Sequence, residues 1–347
     1  MSVGAGADHR TTLADIARTL GVSVGAVSAA LNGRPGVGEP LRLAIRETAD
    51  RMGYSRNRSA VALRTRRSGL VGLLIRNLRN PFFLDAAEGF EGEFAAHGVE
   101  VLIGSSRDST VREQALVQAF ADRAVDALAI APIGGGSAAQ SWLSITGAPL
   151  VIINSATHAP DLPALRVHSD GKAAMEGAVE HLVSLGHRRI AAVAVPQATS
   201  PEAERTEYFR AAMRSRGLRP RILQTADTSW QAIDRALQRD RARGAERWAT
   251  ALVTNSDDAA HGLYAAARRL RIDVPRDLSV VGNDDLDTSV LLNPSLTTHR
   301  VDCRGMGQAA AWLLLEALSP TNTSRLTPRE VMLPVSLQVR GSTAPPA

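Results

Sequence analysis

From residue 12 the apolar positions recur at helical spacing. From residue 70 they come instead as short unbroken runs. Leu13, Ile16, Ala17 and Leu20 fall at i, i+3, i+4 and i+7, one stripe of a short helix. Thr12 is placed to cap it, with Asp15 as an acidic first-turn partner. Gly21 supplies a turn, with Val22 apolar inside it. Ser23 caps a second helix that carries Val24, Val27 and Leu31, with Ala26, Ala29 and Ala30 between them. A third helix has Pro40 at its first position, Leu41, Ile45, Ala49 and Met52 as its stripe, and Gly53 at its end. Two short helices joined by a tight glycine turn predict a helix-turn-helix unit, and a plain three-helix bundle is the alternative.

Beyond Gly69 the runs LVGLLI (70–75), VEVLIG (99–104), ALAIAP (127–132), PLVIIN (149–154), IAAVAV (190–195), ATALVT (249–254) and LSVVG (278–282) read as buried parallel strands. Amphipathic stretches at 81–98 and 112–124 lie between the first of them. Strands alternating with helices predict doubly wound α/β architecture. The runs fall into two groups, 69–165 and 166–340, which predicts two similar lobes with chain crossovers. In such folds ligand loops sit at the carboxyl ends of strands, so the cleft between lobes is the expected binding site.

Composition narrows the class. The chain has 347 residues, 44% hydrophobic and 22% charged, an ordinary globular balance. Cys303 is the only cysteine, which removes disulfide frameworks and cysteine-rich metal sites and fits a reducing, cytoplasmic setting. No apolar run approaches the roughly 20 residues of a membrane span, and the N-terminus lacks the basic-then-apolar order of a signal peptide. The net charge of +5 is uneven: residues 1–68 hold eleven arginines against five carboxylates, and the remainder is near balance. That is the footprint of a nucleic-acid-binding module joined to a neutral body, or of a solvated basic tail. No G-x-S-x-G elbow, P-loop or HExxH string is present. His187 reads as fixing the turn before strand 190–195, and no cofactor or metal is expected.

The stretches TLADIARTLGVSVGAVSAALNG (12–33) and RPGVGEPLRLAIRETADRMGYSRNRSAVALRT (34–65) resemble the lactose-repressor/galactose-repressor family of bacterial transcription regulators. So do RNPFFLDAAEGFE (79–91), GAVEHLVSLGHRRIAAVA (177–194), DVPRDLSVVGNDD (273–285) and NPSLTTHRVDCRGMGQAAA (293–311). The resemblance implies a helix-turn-helix domain at 1–57, a hinge at 58–68, and a two-lobed effector-binding and dimerisation domain at 69–340 that looks like periplasmic sugar-binding proteins. It implies a second helix in the major groove and a homodimer on a near-palindromic operator. The DNA-facing positions are then Thr12, Leu13, Ser23, Val24, Gly25, Ala26, Ser28, Ala29, Asn32 and Tyr54. In the hinge they are Arg58, Ala60, Leu63 and Arg64, with Leu63 as a wedge between base pairs. Ala29 stands where the family most often has Arg, which removes a bidentate base contact worth about 1–3 kcal/mol. Arg56 stands where Pro is usual.

In the body the resemblance points to Phe82, Phe83, Asn154, Arg205, Ser256, Asp257 and Asp284 as effector contacts. The resemblance implies a sugar or sugar derivative as the effector, while Asn154 stands where Asp is usual and Ser155 where Arg is frequent, departures from the sugar-binding pattern, and Asn283 replaces the usual aromatic, which predicts a more polar pocket floor. The expected function is a ligand-responsive regulator, a repressor rather than an enzyme. The rivals are a solute-binding receptor, which would have no use for a basic module, an α/β enzyme such as a sugar hydrolase or kinase, which needs a catalytic constellation, and an architectural DNA-binding protein, which has no use for a cleft.

Overall fold

The computed structural model describes residues 11–54, 67–133, 136–155, 161–194, 201–244, 248–319 and 328–347, with the backbone alone at 201 and 202. It divides into two units, residues 1–66 and 67–347.

The first unit holds α1 (Leu13–Leu20), α2 (Val24–Leu31) and α3 (Glu39–Arg51). Thr12 and Asp15 form a reciprocal capping box, Asp15 N donating to Thr12 Oγ1 at 3.3 Å and Thr12 N to Asp15 Oδ2 at 3.0 Å. Gly21, at φ 66°, ends α1 in a left-handed cap, and α2 leaves at a bend of 110°. Ser23 Oγ accepts from Ala26 N at 3.1 Å and starts α2. Ile16, Ala17, Val27, Ala30, Ile45 and Ala49 form a small core, closed by Leu13, Leu20, Val22 and Tyr54 among others.

The second unit contains β1 (Leu70–Ile75), α4 (Pro81–Ala96), β2 (Glu100–Ser105), α5 (Thr110–Asp122), β3 (Leu128–Ile130), α6 (Ser137–Thr146), β4 (Leu150–Ile153) and β5 (Leu165–Ser169). It continues with α7 (Gly171–Ser184), β6 (Ile190–Ala194), α8 (Pro201–Ser215), β7 (Arg221–Gln224), α9 (Trp230–Arg241), β8 (Ala251–Thr254), α10 (Asp257–Arg269) and β9 (Ser279–Asp284). A short 3₁₀ turn, β10 (Thr297–Val301), α11 (Cys303–Ala317), β11 (Glu330–Leu333) and β12 (Val335–Gln338) complete it. One sheet has the order β11-β5-β4-β3-β1-β2, parallel throughout. The other has the order β12-β10-β9-β8-β6-β7, parallel except where β12 runs against β10. Most strand residues are buried on both faces, as helix-covered parallel sheets require.

The lobes do not divide the chain near 165/166. β5 belongs to the first sheet, and so does β11, which pairs with it from Glu330↔Arg166 to Leu333↔Ser169. α11 returns with β11, because it buries Met306, Ala310 and Leu314 in the core that holds Phe90 and Phe94 of α4. The two helices touch closely. A Cβ on Gly307 would stand 1.9 Å from the Ala86 carbonyl oxygen, so only glycine fits there. The chain thus passes between lobes at Asp170, Asp302 and Pro334. Both aspartates turn their carboxylates onto the next helix, Asp170 accepting from Ala173 N and Asp302 from Gly305 N, at ψ 79° and 82°.

Candidate functional site

The carboxyl ends of the strands in both lobes converge on a cavity of about 330 Å³. That is large enough for a small polar molecule of one or two rings. Its first wall comes from the loop after β1 and the start of α4. Asn77 Oδ1 accepts from Arg79 N at 3.1 Å and Asn80 N at 3.0 Å, while its amide donates to Asp108 Oδ2 at 3.1 Å. Asn80 caps α4 by accepting from Phe82 N. Phe82 and Phe83 meet edge to face with ring centres 5.1 Å apart. Both line the cavity, yet they are 2% and 4% exposed and belong to the lobe's core.

The second wall is more polar. Arg205 of α8 donates to the Asn255 carbonyl at 3.2 Å and to Asn154 Oδ1 at 2.9 Å, joining residues of the two lobes. Asn154 follows β4 at φ 62°, and Asp284 ends β9 at φ 136°, both left-handed conformations that L residues adopt only when their surroundings hold them there. Asp284 is buried and accepts from Asn283 Nδ2 at 3.0 Å and Asp257 N at 3.4 Å. Burial first, then the nearby Asp257 charge, push its carboxyl well above the usual range, against the pull of Arg205.

Of the seven expected effector contacts, Phe82, Phe83, Asn154, Arg205, Ser256 and Asp284 line this cavity. Asp257 does not. Its carboxylate lies beneath the wall and accepts from Ser289 Oγ at 2.5 Å, Thr298 Oγ1 at 2.6 Å and Leu286 N at 3.0 Å. The first residue of α10 must point inward once Ser256 caps the helix. Gly282 leaves room for it, since a Cβ there would come within 2.2 Å of Asp257 Oδ1. Asp285 is likewise structural, clamped by Arg300 at 2.7 Å and Arg340 at 2.5 Å. Asn283 lies buried behind Asp284 rather than on the cavity floor.

The cavity also recruits Arg76, Asn77, Asp108, Thr225, Thr228, Asn255 and Asp258. No periodicity marks them in the sequence. Their common signal is position, in the loops and helix starts that follow strands. His187 is buried and bonds Thr250, Ser279 and the Ala344 carbonyl, so it fixes the turn before β6, as its place in the sequence suggests.

In the first unit, Ser23, Val24, Gly25 and Asn32 are exposed along α2, and Ser28 and Ala29 are half-buried beside them. Val24 is 47% exposed although apolar. Thr12 is exposed at the start of α1. Asn32 donates to the Ser28 carbonyl at 2.7 Å, its amide folded onto its own helix. Leu13, Ala26 and Tyr54 are half-buried, Leu13 and Tyr54 against the core of the unit. Arg58, Ala60, Leu63 and Arg64 lie outside the described residues.

Along nearly its whole length the chain is similar to the HTH-type transcriptional regulator MalR of Streptomyces coelicolor, 34% identical with 96% of this chain and 97% of the relative covered. It belongs to the LacI/GalR family of transcriptional regulators. Residues 179–343 match the profile of a periplasmic binding protein-like domain. The fold of this LacI/GalR regulator is that of a lac repressor dimer bound to operator and the anti-inducer ONPF, with a TM-score of 0.83, 24% identity, and 96% and 99% of the two chains covered. It is also that of a transcriptional regulator CelR–cellobiose complex, at TM-score 0.70, 24% identity, and coverage of 96% and 100%. Among the described residues no single helix is long and apolar enough to cross a membrane.

Proposed function

We propose that this regulator is a cytoplasmic repressor that binds a near-palindromic operator as a homodimer and answers to a small sugar-like effector in the cavity between its lobes. The observation that carries the reading is the cavity, polar, built from strand ends of both lobes, in a chain that also presents an exposed helix-turn-helix face. An effector that prefers one angle between the lobes shifts the population of DNA-competent dimers, by no more than its differential affinity for the two arrangements. The α2 face carries Val24 for a thymine methyl and, at Gly25 and Ala29, room for the groove wall to approach closely. Thr12, Ser23, Ser28 and Asn32 supply polar contacts to phosphates and base edges. Exposed apolar side chains at Leu78, Leu84, Val290 and Leu291 support a dimer assembled through the body.

The test is fluorescence anisotropy on DNA upstream of the protein's own gene, with and without neutral saccharides. The wild type binds, and one saccharide changes its affinity. Asp284→Ala keeps operator binding and weakens the saccharide by about ten- to a hundredfold, the worth of a buried hydrogen bond left unmet. Unchanged saccharide affinity in a folded Asp284→Ala protein rejects the cavity. A monomer by sedimentation at micromolar concentration rejects the dimer.

A further inference from the structure

The second sheet ends at β7, which pairs with β6 on one side and, among the described residues, with no strand on the other. Thr225 N donates to the Ala194 carbonyl at 3.0 Å. Alternation along the strand then turns the main-chain groups of Arg221 and Leu223 toward β6 and those of Ile222 and Gln224 outward. The Gln224 carbonyl accepts from Arg239 Nη2 at 2.9 Å. The N–H and carbonyl of Ile222 and the N–H of Gln224 have no partner among the described residues. An open edge of this kind is a template for another strand.

The same edge forms one wall of a groove of about 850 Å³. Six arginines line it, Arg188, Arg189, Arg219, Arg221, Arg239 and Arg243, against a single carboxylate, Asp240. The chain beyond residue 68 is near charge balance, so the groove is a local concentration of positive charge. Asp240 is buried, accepts from Ala249 N at 2.8 Å and pairs with both Arg221 and Arg243. Its charge is thus taken up in holding two guanidinium groups in place. Arg188 and Arg219 are exposed, and neither meets a carboxylate among the described residues.

The two features together restrict the occupant. A second copy of β7 would set six more arginines against the first six. A nucleic-acid backbone would neutralise the arginines, but phosphates only accept, and the Ile222 carbonyl calls for a donor. A peptide strand offers donors and acceptors at the spacing of the edge, and acidic side chains on it would meet the guanidinium groups. We propose that β7 is a docking site for an extended acidic segment of a partner protein, added to the second sheet as a further strand. The Ile222 and Gln224 main-chain groups set its register, and Arg188 and Arg219 select for acid. The edge Arg221–Gln224 spans about 13 Å at roughly 3.3 Å per residue, which suits a segment of about four to six residues.

The experiment titrates the full chain into a fluorescent peptide in which Glu or Asp alternates with Val, and follows anisotropy. One control peptide carries Gln and Asn in place of the acids. The other keeps the acids but is N-methylated throughout its backbone, which removes the donors a strand needs. The wild type binds the acidic peptide about tenfold or more tightly than either control, and less tightly as salt is raised. The double variant Arg188→Glu, Arg219→Glu weakens the acidic peptide by about tenfold. Its unfolding temperature and its affinity for duplex DNA stay those of the wild type. No binding of the acidic peptide, or equal binding of its neutral counterpart, overturns the site. Equal binding of the N-methylated peptide overturns strand addition. Undiminished peptide binding by the double variant overturns the role of the groove. A double variant that loses duplex DNA as strongly as peptide assigns the groove to nucleic acid and overturns the protein partner.

Discussion

The two walls of the cavity are built on different terms. On the first, Asn77, Asn80 and Arg76 turn their polar groups onto backbone N–H and carbonyl groups of their own lobe, and Phe82 and Phe83 are shared with the core. That wall meets its polar groups within its own lobe. On the second, Asn255 leaves an amide unpaired, Asp284 holds a buried carboxyl at φ 136°, and Asp257 sits as a further acid directly behind it. A wall whose polar groups are met adds to the stability of its lobe, whereas an unmet buried amide and a carboxyl pushed up by burial lower that of the other.

Substitutions in the first wall should therefore read out as stability. Phe82→Ala removes a ring that is 2% exposed and should cost about 3–5 kcal/mol in urea unfolding of the full chain. A cost under about 1 kcal/mol would mean that the ring serves the cavity alone, and the contrast between walls would collapse. Behind the second wall, Asp257→Ala should cost about 2–3 kcal/mol. It strands the Leu286 N–H and two buried hydroxyls, Ser289 and Thr298, but also removes an acid whose pKa burial has raised. If that variant instead keeps its stability and loses only saccharide binding, Asp257 belongs to the cavity after all.

The parts legible in sequence were those whose cause is local. The capping box at Thr12 and Asp15, the turn at Gly21 and the run LVGLLI of β1 each rest on neighbours within a few residues. The boundary between lobes was not legible, because it depends on α11 finding α4 more than two hundred residues away and on glycines that permit the approach. Within the site, strand-end position pointed to Asn154 and Asp284, but could not tell Asp284 from Asp285 or Ser256 from Asp257 by chemistry. Adjacent residues at a strand end or helix start face opposite ways, and the tertiary partners Arg300, Arg340, Ser289 and Thr298 take up the inward ones. Asn255 was invisible for a similar reason. What distinguishes it is a missing partner, and a sequence does not record missing partners.

The smallest expected effect bears most directly on the second wall. The Asp284 carboxyl titrates above its ordinary value of 3.8 in the folded protein, first through burial and then through Asp257. Below the unfolded value it is protonated in both states, and its contribution to stability is fully present. As pH rises past that point the unfolded chain ionises while the folded one holds its proton, so stability is lost progressively until the folded group also ionises. Asparagine has the same shape, tolerates the left-handed backbone, and does not titrate. Asp284→Asn should therefore be more stable than the wild type at pH 7.5 by about 1 kcal/mol, and the gap should close as pH falls toward 3.8. Thermal unfolding of the free protein across that range decides it. A wild type that is the more stable at neutral pH would show that Arg205 compensates the buried charge fully. Of the unmet groups on the second wall, only the Asn255 amide would then remain.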